Sequence, residues 1–180
     1  RPAHRVVVNG MDDLAAGIAL YRKAREHGAT VIDAYTSPLP SVTVVRPAEP
    51  RPEERLRYPT RRTNWRVLTG EEVDACKRAE ALYVMVNSSS AKHIDLHVAA
   101  ELMAGRRSRP SFAPMVIATG TLMAFEALKL LMGRPSGVDC RGVFLNPWTM
   151  RVERPRSAPV AWVLERVARR YLARIMARVS

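Results

Sequence analysis

The apolar positions of this chain fall into two periods. Arg5 to Asn9 (RVVVN) sets three valines in a row, the pattern of a short buried strand. Gly10-Met11-Asp12-Asp13 follows, and an aspartate there predicts the cap of a helix reaching about His27. Leu14, Ile18 and Tyr21 share one face of that helix, and Gly28 stops it. Thr30 to Tyr35 (TVIDAY) reads as a second buried strand, so strand, helix and strand predict a right-handed βαβ unit with parallel pairing. Only about six residues precede the next strand, Val42 to Val45, too few for a parallel crossover; antiparallel pairing or a bent edge is expected.

The longest nearly uncharged run is Ser111 to Gly133, in which only Glu126 and Lys129 carry charge. Leu122, Phe125, Leu128 and Met132 recur at helical steps, and Ala124, Leu130 and Leu131 widen the stripe. The run predicts a core helix buried on most of its surface, capped by Thr121 and ended by Gly133, with Pro114 splitting off a short lead-in. Its uncharged part is about 15 residues, short of the roughly 20 a bilayer requires.

Between the strands and this helix the pattern weakens. Pro47, Pro50, Pro52 and Pro59, with three glutamates and many arginines, exclude a continuous helix or central strand, and residues 46–68 are expected to be an extended or mobile crossover-like loop. Thr69 and Glu72 have capping-box spacing and open a helix through Val73, Cys76, Ala79 and Leu82. Asn87 to Ser90 interrupts it, Ile94 to Ala104 is helical, Gly105 ends that helix, and Arg106 to Pro110 is a basic turn. Arg141 to Pro147 and Met150 to Glu153 predict a hairpin. Val160 to Val179 is an amphipathic helix carrying five arginines and one glutamate.

Composition adds charge to this picture. Twenty-nine Lys and Arg against 17 Asp and Glu give +12, a balance that fits anionic partners or simply a solvated arginine-rich surface. The basic residues are spread out rather than forming one block, and nucleic acid is not expected as a partner. Two cysteines, Cys76 and Cys140, make neither a disulfide framework nor a zinc site. Reduced thiols and the lack of an apolar leader pattern at the start point to the cytoplasm. The basic helix at 160–180 fits an apolar groove or dimer partner, an anionic membrane, or nucleic acid.

The order of these pieces resembles the ThiF/MoeB/HesA superfamily, enzymes that adenylate ubiquitin-like proteins and sulfur carriers. VVVNGMDDLAAGIALYRKAREHGATVIDAY is similar to the family's strand ending in an Asp-Asn pair, its helix and the next strand. SVTVVRP resembles the strand after that, APMVIATGTLMAFEALKLLMGRPSG the late helix with its A-x-E-A-x-K pattern, and FLNPWTMRVERP the closing strand pair. The resemblance spans residues 5 to 155 and covers only the second half of the family's domain. It implies an α/β, Rossmann-like ThiF-type fold with a mixed sheet and flanking helices over 1–155, followed by the amphipathic helix at 156–180. The family's Gly-rich phosphate turn has no counterpart here, so a missing N-terminal half is expected in the same gene product or in another chain.

The resemblance also implies a site. Asp12 falls where the family keeps its Mg-ATP aspartate, which makes ATP and Mg2+ the expected cofactors. Asp13 stands in place of the usual asparagine and is the second cofactor-binding candidate. Gly17 replaces an arginine. From the residues alone, Asp12 or Asp13 is equally a helix cap. Cys76 lies where some members carry a thioester-forming cysteine, although its spacing suits a helix interior. Ser89, Ser90, Lys92 and His93 form a polar loop before a helix, suited to an anion or a substrate tail; a capping loop is the plainer reading. His93 and His97 share a helical face but lack a third ligand. The implied partners are a small protein or peptide with a free C-terminal carboxylate and a second copy of the chain. A binding or scaffold module that kept the fold and lost the site is the alternative.

Overall fold

The computed structural model describes residues 5–103, 106–107 and 112–179. The predicted stop at Gly105, the end of the basic turn and the start of the apolar run at Ser111 lie outside them. The fold is mixed α/β. One five-stranded sheet runs in the order β1 (Val6–Val8), β2 (Thr30–Asp33), β3 (Ser41–Val45), β4 (Val143–Asn146), β5 (Arg151–Glu153). β1 and β2 are parallel, with Val7 opposite Val31, and every later pair is antiparallel. Helix α1 (Leu14–Glu26) makes the crossover, and the seven-residue link to β3, residues 34–40, produces the antiparallel turn that its length demands.

Alternation along the strands divides the core between two faces. Val31 and Val45 pack with Tyr21 and Ala24 of α1 and with Cys140. Ile32, Val42, Val44 and Val143 face the other way, onto Met123 of α5 (Ala113–Leu131). α3 (Gly70–Asn87) opens with the expected box, Glu72 N–H on Thr69 Oγ1 and Thr69 N–H on Glu72 Oε2. Val84 of α3 meets Leu39 and Phe144. α4 (Leu96–Met103) and α6 (Ala158–Val179) follow; α6 packs on α3 and α4.

Three expectations are corrected. The apolar run is not buried on most of its surface. Of α5, only Met123 and Glu126 are buried, while Ile117 (68%), Phe125 (61%) and Leu131 (62%) face outward. The sheet covers one side of α5, and among the described residues no second layer covers the other. α5 is the one described helix long and apolar enough to cross a membrane by length and composition, yet its inward face rests on β1, β2 and β3. Thr121 does not cap it: the helix begins at Ala113 with Pro114 in its first turn, where a missing N–H costs nothing, and Thr121 bonds back to Ile117 O.

The Pro-rich stretch is not extended. It holds α2 (Pro52–Arg55) and two 3-10 turns, Pro59–Arg62 and Trp65–Val67. Arg22 on α1 grips Glu53 with two bonds, Nη2 to Oε1 at 2.7 Å and Nε to Oε2 at 3.0 Å, and also donates to Thr60 O and Thr63 O. Arg25 forks onto Glu54. Prolines prevent a long helix, and paired charges fix the short pieces instead.

Candidate functional site

The turn between β1 and α1 is built from the end of the parallel pair. Asn9 is buried; its N–H donates to Ile32 O at 2.8 Å and continues the ladder by one residue. Its Nδ2 donates to Asp33 Oδ2 (2.9 Å), and its Oδ1 accepts Met11 N–H (3.1 Å), folding the chain back before the helix. Tyr21 Oη donates to the same Asp33 oxygen (2.8 Å), and Ala34 N–H reaches Asp33 Oδ1 (2.7 Å). Burial pushes the Asp33 carboxyl up to about 6, against the three hydrogen bonds that favour its charged form. Burial, with Asp33 beside it, also pushes the Tyr21 hydroxyl well above its ordinary value.

On this frame the two predicted aspartates part. Asp13 caps α1, its Oδ1 accepting Ala16 N–H at 2.6 Å. Asp12 is exposed, just beyond the carboxyl end of β1. Gly17 lies one turn into α1, with Asn9 Nδ2 3.9 Å from where a Cβ would stand. Among the described residues no three His, Cys, Asp or Glu come together as a metal site. Mg2+ suits one carboxylate when nucleotide phosphates and water complete its shell, and Asp12 has the exposure for that share.

The serine loop is drawn into a different arrangement. Ser89 gives both its N–H (2.6 Å) and its hydroxyl (2.5 Å) to Glu153 on β5. Asn146 Nδ2 on β4 reaches Glu153 Oε1 and Ser89 Oγ, each at 2.9 Å. Burial would raise the Glu153 carboxyl, but the bonds from Ser89 and Asn146 outweigh it and hold it below its ordinary value. The anion in this loop is therefore Glu153 itself. Ser90 is buried in a hydroxyl chain with Ser88 and Ser37. Lys92 is exposed, and His93 stacks on Trp148 with ring centroids 5.9 Å apart. His97 pairs with Glu101 on α4 instead of joining His93.

Cys76 is fully buried on α3, 3.9 Å from the Thr60 hydroxyl, and burial raises its thiol. A helix-interior position closes the sulfur off from an acyl donor, so it packs the core where the resemblance implied a thioester. Sequence reasoning missed Asn9, Asp33, Asn146 and Glu153. The hairpin carried a signal for the last two: with Asn146 opposite Arg151 and Glu153 opposite Phe144, the two polar residues fall diagonally on one face of the strand pair. It also missed Arg55, whose guanidinium lies 4.5 Å from the Tyr83 ring centre, while Tyr35 and Tyr83 both donate to Arg141 O at 2.9 Å.

Comparison of the chain with protein-family models, curated proteins and solved structures returns no match.

Proposed function

We propose that this chain is the C-terminal half of a ThiF-like adenylating domain, which, joined to a nucleotide-binding half, activates the C-terminal carboxylate of a small protein, peptide or acid. One observation carries the reading. Asp12 stands exposed past the carboxyl end of β1, a strand paired in parallel with β2 through α1 and unpaired along its other edge among the described strands. In open α/β sheets, ligands bind outside the carboxyl ends of such strands. α5 packs on β1 and turns Ile117, Phe125 and Leu128 outward. The free edge and this apolar stripe are where the missing half, or a second copy, would join.

In this reading Asp12 holds the Mg2+ of Mg-ATP. When bound, the ion neutralises phosphate charge and eases loss of pyrophosphate. Asn9 and Asp33 fix the turn that carries Asp12, and Asp13 orients α1. The cytoplasm is the compartment this activity implies. Calorimetric titration of the complete gene product with Mg-ATP tests the assignment. Binding that weakens at least tenfold in Asp12→Ala supports it, and equal binding in both proteins removes Asp12 from the site.

A second reading, a scaffold module without catalysis, is favoured by the way polar groups are already spent. Asp13 is committed to its cap and the Ser89 donors to Glu153. A complete gene product that binds a carrier protein yet neither binds nor turns over ATP would select it.

A further inference from the structure

We infer that the outer face of α6 docks on an anionic lipid bilayer. Ala161, Leu164, Glu165 and Ala168 are half-buried, and these mark the side of α6 that packs on α3 and α4. Among the described residues nothing covers the rest of its circumference. Val160 (47%), Val163 (53%) and Val167 (61%) form an uncovered stripe, with Trp162 (56%) on its flank. Arg166, Arg169 and Arg170 are exposed among them.

The charge selects the occupant. α6 carries five arginines against one glutamate, in a chain of net charge +12. The one acid, Glu165, is held by Arg169 at 2.6 Å, so the remaining guanidinium charge meets no carboxylate on its own helix. A second copy laid on this face would bring arginines against arginines. Nucleic acid would meet the arginines but leave the valine stripe against water. An anionic bilayer takes both: apolar side chains enter the boundary between headgroups and acyl chains while arginines reach the phosphates. Arg166 lies over the Trp162 ring, 3.7 Å from its centre, which suits an indole at headgroup depth beside a cation. The stripe is short and rich in valine, so binding is reversible and depends on the charges.

Co-sedimentation of the full chain with vesicles tests this, using phosphatidylcholine alone or mixed with about one-third phosphatidylglycerol. Binding to the anionic vesicles only, weakened by added salt, is expected. Val163→Asp with Val167→Asp should cut partitioning about tenfold or more, and so should Arg166→Glu with Arg170→Glu. Circular dichroism and thermal unfolding check that each variant keeps the fold; because all four positions are exposed, the two pairs serve as separate tests. Equal binding to neutral vesicles, or no binding, overturns the inference. So does binding indifferent to the valines, or a valine-dependent dimer in sedimentation velocity without vesicles. Retention of an RNA oligonucleotide by the chain, lost on reversing the arginines but not on replacing the valines, would assign the face to nucleic acid.

Discussion

Asn9 Nδ2 and Asp33 Oδ2 lie 2.9 Å apart, a bond that ties the end of β1 to the end of β2 across the parallel pair. Tyr21 reaches the same oxygen from α1, so one carboxylate joins all three parts of the βαβ unit. The turn holding Asp12 and Asp13 leaves from this point, and its geometry follows from an interaction buried behind it.

That carboxylate makes stability depend on pH. Asp33 has its carboxyl at about 6 in the folded chain, above its ordinary 3.8. The native state holds the proton more tightly than the unfolded chain does. The contribution is fully present below about pH 4 and is lost as pH rises through 6, a change of up to about 3 kcal/mol. Urea unfolding at several pH values, compared with Asp33→Asn, should show the wild-type advantage shrinking from pH 4 to 7. A constant difference would place the titration elsewhere.

Glu53 is 1% exposed and depends on Arg22. Glu53→Gln leaves the guanidinium with half a partner, and unfolding free energy should fall by about 3–5 kcal/mol. Arg22→Met with Glu53→Leu should recover only part of the loss, since the apolar pair removes the uncompensated charge but leaves Thr60 O, Thr63 O and the Thr60 hydroxyl without these partners. A loss under about 1 kcal/mol from the single change would mean that the pair opens to water.

Gly142 has φ +75, and a Cβ there would stand 2.6 Å from Thr43 Cγ2 and 2.8 Å from Val42 O. Gly142→Ala should cost about 3 kcal/mol or more through strain and displacement of β3. Gly120 lies in α5 with open space around it, so Gly120→Ala should stabilise by about 0.5–1 kcal/mol. Thermal unfolding of the two variants should move in opposite directions.

α5 provides a paired test of which face it buries. Met123→Ala should cost about 2–5 kcal/mol and Phe125→Ala under about 1 kcal/mol in the chain alone. Similar large losses from both, in dilute solution, would mean that a second layer covers the outer face.

The βαβ unit and the turn into β3 were legible because local rules decide them: valine runs, a capping aspartate and a link too short to cross over. α5 was legible as a helix but not in its burial. The periodic stripe fell on Phe125, Leu128 and Met132, which face outward, while Met123 and Glu126 turn inward, so in a helix apolar on several sides spacing alone did not choose the face that meets the sheet. The grip of Arg22 on Glu53, 31 positions away, leaves no local pattern, so prolines made that stretch read as loop. The same distance problem hid the site. Asp13 as a cap could be read from its place before Leu14, whereas Asp33 and Glu153 meet their partners only through the sheet.

ATP–pyrophosphate exchange by the complete gene product, wild type against Asp12→Ala, tests the central claim most directly. Carboxylate-dependent exchange in the wild type, lowered at least a hundredfold in the variant, is the predicted result. Exchange at the same rate in both, or none with the nucleotide-binding half present, would contradict it.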